Sequence, residues 1–422
     1  MTPGRKKGIS IFSPIDTSQR PTHPSISLQR QPYHRTTTTT MAAPSRLFEP
    51  LVVGNMKLQH RIAMAPLTRY RSSDEHVPIP SLMAEYYAQR ASIPGTLLIT
   101  EATFISPAAA GYDNAPGIWN DAQVAAWRQV TDAVHAKGSY IVSQLWHLGR
   151  AAVAANLERE SGLSVRGASA VPMPNDGAPV PVPLTVDDIK QTVRDYAAAA
   201  RNAIAAGFDA VEIHSANGYL PDQFLQDNSN QRDDAYGGSV ENRSRFTVEV
   251  AEAVIAAVGA ARTGIRLSPW SVFQGMRMAD PVPQFTDVVR KLSALRLAYL
   301  HLVESHVEGS QPVDTLEAPD SLDFAVNAWK GPVLIAGRLD TRRAKELVEK
   351  RYKGRDVVAT FGRYFLSTPD LVFRVREGVE LNRYNADTFY LRKSAKGYLD
   401  YPFSKEFEAK FGVQNTVEQA SL

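Results

Sequence analysis

His214, Asn217 and Tyr219 bring an imidazole, a carboxamide and a phenol close together in the chain. The first two can donate hydrogen bonds to one oxygen, and a phenol beside them can give up a proton. The set reads as a hydrogen-bonding clamp with an acid at its side. It follows a short apolar run, Ala210–Ile213, of the kind that makes a fully buried parallel strand and that stops at His214. Taken alone, the stretch fits equally a strand-end histidine satisfied by backbone, followed by a turn.

The elements that must position these residues recur along the chain. Short apolar runs stand at Ile62–Ala65, Leu97–Thr100, Tyr140–Leu145, Ala210–Ile213, Ile265–Leu267, Ala298–Val303, Val333–Ala336 and Val357–Ala359. Amphipathic helical stretches lie between them at Ala122–Lys137, Val186–Ala206, Arg243–Val258, Thr286–Leu295 and Arg342–Glu349. Such alternation predicts an α/β fold, a parallel sheet closed as a (β/α)8 TIM barrel. A doubly wound open sheet is the structural competitor, but no GxGxxG follows an early strand. Ahead of the runs, Leu47–Leu58 has a turn at Gly54-Asn55 between two apolar pieces, which predicts a β-hairpin capping the barrel bottom.

Chemistry in such barrels sits at the C-terminal strand ends. Those ends carry Pro66-Leu67-Thr68, Glu101-Ala102, Gln144 with Trp146, the His214 set, Arg266, Gly337-Arg338 and Gly362-Arg363. Glycine lets backbone N–H groups approach an anion, and a guanidinium bonds phosphate oxygens. The last two ends therefore predict a phosphate site; glycine caps beside exposed arginines are the plain alternative. Thr68 and Gln144 suit the carbonyl and imide edges of a flat heterocycle, and Arg266 suits negative charge on it. Those are the needs of a flavin.

Composition bounds the rest. The chain has 422 residues, 44% hydrophobic and 22% charged, with a net charge of +3. That balance suits a globular protein with a large core and gives no case for nucleic-acid or membrane partners. Without cysteine there is no disulfide, thiolate metal site or cysteine nucleophile. Residues 1–44 are basic and rich in Ser, Thr and Pro, and disorder is expected there. They read as an over-extended reading frame with a start at Met41, or alternatively as an organellar transit peptide; the first implies a cytoplasmic protein. The barrel domain is expected over 45–405 and a tail over 406–422. His135 is expected to cap a helix, His147 lies just beyond Trp146, and His301 and His306, which flank the sixth run, are expected to be structural; Trp127 and Trp329 in helical positions are expected in the core.

The segments RIAMAPLTRYR, TEATFISPAAAGYDNAPGIW, VSQLWHLGR, VEIHSANGYLPDQFLQDNSNQRDDAYGGSVENRSRF, IRLSPW, FGRYFLSTPDL, YNADTFY and KGYLDYP resemble the old yellow enzyme family of FMN-dependent ene-reductases, which includes the 12-oxophytodienoate reductases. The resemblance spans about Leu47 to Phe403. It implies a NAD(P)H oxidoreductase, with NADPH favoured over NADH, that reduces the C=C bond of α,β-unsaturated carbonyl compounds. It also implies that Pro66, Leu67, Thr68, Ala102, Gln144 and Arg266 hold the FMN ring, and that Gly337, Arg338, Gly362 and Arg363 hold its phosphate. His214 and Asn217 would grip the substrate oxygen, Tyr219 would protonate the α-carbon, and Tyr112, Trp146, Phe273 and Tyr390 would line the substrate side. Arg338 stands where many relatives have a small or amide residue. A specialist in a fungal-type natural-product pathway and a catalytically silent barrel scaffold are the other readings. A monomer and a homodimer fit equally.

Overall fold

Eight short parallel strands close on one another in the computed structural model, which describes residues 45–175, 177–305 and 320–412, plus the backbone of 307–308 and 311–312. They are β1 (Ile62–Met64), β2 (Leu97–Ile99), β3 (Tyr140–Trp146), β4 (Ala210–Ser215), β5 (Thr263–Leu267), β6 (Tyr299–Val303), β7 (Val333–Ala336) and β8 (Val357–Phe361). Each pairs in parallel with the next, and β8 pairs with β1 through Ala359 and Ile62, so the cylinder is closed. Nearly every strand residue is buried, because side chains face either the lumen or the helices outside. That is why the strands read as unbroken apolar runs rather than alternating ones.

Helices α1 (Pro80–Arg90), α2 (Asp121–His135), α3 (Val186–Ala205), α4 (Val240–Val258), α5 (Pro281–Ala294), α6 (Asp323–Ala328), α7 (Thr341–Glu346) and α8 (Leu371–Glu377) follow the strands in turn. α3 shows why these sequences are helical. Thr185 and Asp188 form a reciprocal capping box at its start, an arrangement of about 1 kcal/mol. Ile189, Thr192, Tyr196, Ala199, Ala200 and Ala203 then bury one face at helical spacing. His135 ends α2 and bonds Asp209 Oδ2 through Nε2 at 3.0 Å. Trp127 and Trp329 are core residues.

The hairpin is present, with Leu51–Val53 antiparallel to Met56–Leu58. Leu51, Val53, Met56 and Leu58 face inward and pack with Ala63, Leu97, Val142, Leu334 and Val358 from the lower lumen. Gly54 turns with φ +56°, and a Cβ there would lie 2.1 Å from Ala261 O. The hairpin thus plugs the bottom and leaves the other mouth for ligands.

Of these eight helices, α1, α6 and α8 go beyond the sequence expectation. In the stretch expected to be a tail, Lys405–Phe411 is helical and sets Phe407 edge-on to Phe373, with ring centroids 5.4 Å apart. Residues 1–44, His306 and 413–422 lie outside the described residues. No helix among the described residues is long and apolar enough to cross a membrane.

Candidate active site

The upper mouth opens into a cavity of about 530 Å³, within the range of small-molecule sites. Pro66, Leu67, Thr68, Ala102, Gln144, Trp146, His214, Asn217, Tyr219, Arg266, Phe273, Gly337, Arg338, Gly362, Arg363 and Tyr390 all lie in its wall. Tyr112 is the exception among the expected site residues. Its ring stands edge-on to Trp146, centroids 5.6 Å apart, and it is absent from the cavity wall. Burial pushes its phenol up to about 12.

The His214–Tyr219 turn is built locally. β4 runs on through His214 to Ser215, so His214 sits inside the strand rather than just past its end. Asn217 and Gly218 both have positive φ, +57° and +78°, a conformation that Asn and Gly adopt readily. The Asn217 N–H donates to Ser268 Oγ at 2.7 Å, and the Gly218 N–H donates to buried Asp222 Oδ2 at 2.8 Å. The reversal places the Tyr219 ring 4.8 Å from that of His214 and 5.0 Å from that of Trp146, edge-on to both.

The two ring side chains are pushed in opposite directions. Burial, then the positive charge of Arg266, holds His214 well below its ordinary value. It is a neutral imidazole, a donor that keeps its proton near neutrality. Burial, together with the phenols of Tyr112 and Tyr70, holds Tyr219 well above the ordinary tyrosine value, so its proton is in place.

The wall also fits a flavin. His214 Nδ1 and Arg266 Nε are buried polar atoms without a partner among the described residues. Gln144 donates through Nε2 to Glu212 Oε1 at 2.7 Å, which turns its carbonyl away from Glu212. Gly337 follows β7 with φ +157°, and a Cβ there would meet Glu304 Cβ at 2.6 Å. A Cβ on Gly362, after β8, would touch only Leu67 at 3.8 Å, so backbone is open to a ligand there. With Arg338, Arg342, Arg343 and Arg363 in the same wall, this end is cationic, as an anion requires.

The wall also contains Tyr364, Tyr384 and Phe389, unassigned from sequence although they lie in the motif segments FGRYFLSTPDL and YNADTFY. Glu212 escaped sequence reasoning too. Its only signal was an acid inside an apolar run.

The model of the NADH:flavin oxidoreductase / NADH oxidase family matches residues 46–382. Chanoclavine-I aldehyde reductase fgaOx3 of Penicillium roqueforti is 56% identical over 86% of this chain and 98% of its own length. The probable inactive dehydrogenase easA of Claviceps fusiformis is 48% identical over 89% and 99%. Among solved structures, the old yellow enzyme homologue from Zymomonas mobilis superposes with a TM-score of 0.76 at 40% identity, covering 85% of this chain and 99% of that one. The chain belongs to the NADH:flavin oxidoreductase family, and within it to the old yellow enzymes. It is a flavin-dependent oxidoreductase built on a (β/α)8 barrel.

Proposed function

We propose that the chain binds FMN in this cavity and uses NAD(P)H to reduce the C=C bond of α,β-unsaturated carbonyl compounds. The observation that carries the reading is the convergence of a neutral His214, Asn217 and a protonated Tyr219 on one wall with Gln144 and Arg266.

Thr68, Ala102, Gln144 and Arg266 hold the flavin ring, with Pro66 and Leu67 against it. Gly337, Arg338, Gly362 and Arg363 hold the phosphate. Bound there, the flavin would supply the hydride chemistry that links a reduced nicotinamide to the β-carbon of the alkene. His214 and Asn217 donate to the carbonyl oxygen, and their bonds strengthen as charge collects there, so most of their effect falls on the transition state. Tyr219 gives its proton to the α-carbon. Trp146, Phe273 and Tyr390 keep water from the substrate.

A second, narrower reading places the substrate among natural-product aldehydes of a fungal biosynthetic route. It is supported by the identity to the chanoclavine-I aldehyde reductase and by the aromatic wall of Trp146, Phe273, Tyr384, Phe389 and Tyr390. The inactive name of the Claviceps relative keeps a silent scaffold in view.

Anaerobic mixing decides among these. The purified protein is expected to be yellow, to bleach with NADPH or NADH, and to regain colour with an enone or unsaturated aldehyde. A colourless protein that takes up no FMN overturns the reading, as does a bleached one that no activated alkene reoxidises.

A further inference from the structure

Glu212 is an acid in the middle of β4, where the strand is otherwise mostly apolar, and it is wholly buried. Both of its oxygens are engaged. Oε1 accepts from Gln144 Nε2 at 2.7 Å, and Oε2 bonds His301 Nδ1 at 2.8 Å. Gln144 stands directly opposite it on β3, and His301 comes from β6, the strand beyond β5. Burial pushes the Glu212 carboxyl up, but His301, Arg266 and Gln144 outweigh it and hold the group below the usual carboxylate range. Burial holds His301 below its ordinary value, and its Nε2 has no partner among the described residues. His301 therefore serves Glu212 as a neutral donor through Nδ1.

An ionised carboxylate only accepts hydrogen bonds. Gln144 must then turn its NH2 toward Glu212 and leave its carbonyl Oε1 on the cavity side, where Gln144 forms part of the wall. A buried charged relay is poor value as a source of stability, since apolar side chains of similar volume would serve the barrel as well. Its use is in what it imposes on Gln144.

We propose that Glu212, backed by His301, is a positioning residue that locks the Gln144 carboxamide as a hydrogen-bond acceptor, so that the cavity selects planar heterocycles presenting an imide N–H to it. The inference rests on the reading of the cavity as the FMN site, where the N3–H of the pyrimidine ring is the matching donor. It concerns affinity and selectivity, and Glu212 touches no reacting atom.

The test titrates the apo-protein with FMN and with 3-methyl-FMN, whose N3–H is blocked, followed by quenching of flavin fluorescence. The parent is expected to favour FMN by about tenfold or more, the worth of one hydrogen bond. In Glu212→Gln a neutral amide can donate as well as accept, and Gln144 is free to turn. Discrimination is then expected to fall to within about threefold. Full discrimination in Glu212→Gln overturns the lock. Should that variant not fold, His301→Gln, which can still donate to Glu212, is expected to keep discrimination that His301→Leu loses; equal discrimination in the two overturns the lock. A parent that takes up neither flavin overturns the cofactor reading and the lock with it. A parent that takes up FMN, beside a variant that discriminates as before, overturns the lock alone.

Discussion

The Tyr219 phenol ring stands edge-on to the His214 imidazole, centroids 4.8 Å apart and planes at 73°. One is held protonated and the other neutral by the same burial. Environments that push neighbouring groups apart assign them different work. Here the imidazole is suited to polarise an oxygen and the phenol to deliver a proton.

The first prediction concerns the clamp. Phenols mimic an enolate oxygen, so His214 and Asn217 should hold them. His214→Ala with Asn217→Ala removes two donors, each worth about 0.5–1.5 kcal/mol, and should weaken phenol binding by about 10–100-fold. A titration followed by flavin absorbance reads this. Unchanged phenol affinity would refute the clamp.

A second prediction concerns the phosphate end. In Gly337→Ala the new methyl meets Glu304 in a backbone conformation that side chains avoid. The strain should cost about 1–3 kcal/mol of stability. FMN affinity should fall with it, by about tenfold. Thermal unfolding and FMN titration check the two effects; a variant with parental melting temperature and affinity would contradict the geometry.

Asp222 gives a prediction in pH. Burial, offset only in part by Gln226 and the Gly218 N–H, raises its carboxyl to about 7. Between the ordinary carboxylate value and about 7, the folded chain holds a proton that the unfolded chain has lost. Asp222 therefore makes stability fall as pH rises through that window. His60 and His147 act the other way. Burial lowers both to about 3, so between about 3 and 6.5 the unfolded chain binds their protons and the folded chain does not. Stability from these two is present above 6.5 and lost as pH falls. Asp222→Asn removes the falling contribution. Its stability should rise with pH more steeply than the parent's between about pH 4.5 and 6.5, by up to about 1.4 kcal/mol per unit. Denaturant unfolding across that range measures it, and parallel slopes would refute the protonated Asp222.

How much of this was legible in the sequence depended on whether the signal was local. β7 was read to the residue because Val333–Ala336 lies between polar stretches and Gly337. β4 and β8 run two residues further than their apolar runs, since Ser215 and Thr360 extend them in mid-pairing with neighbouring strands. α1 was invisible because its buried face includes Gln89 and Arg90 beside Tyr86 and Tyr87. Arg90 is satisfied by Phe365 O and Leu366 O, far along the chain, and no periodicity announces that.

The site was legible in its types and not in its supports. His214, Asn217 and Tyr219 lie in one short stretch, so their meeting follows from one turn. The hold of Glu212 on Gln144 and His301 needs three strands in register, which no single stretch encodes. Tyr112 packs edge-on against Trp146, which does lie in the cavity wall, and no single stretch of sequence distinguishes the two positions.

The central claim, that Tyr219 is the acid of alkene reduction, is tested most directly by stopped-flow comparison of the two half-reactions in Tyr219→Phe. Bleaching by reduced nicotinamide should proceed at the parental rate, as should reoxidation by a quinone, which needs no proton on carbon. Reoxidation by an enone should slow by about 10²–10⁴-fold. Enone reoxidation as fast as the parent's would contradict the account.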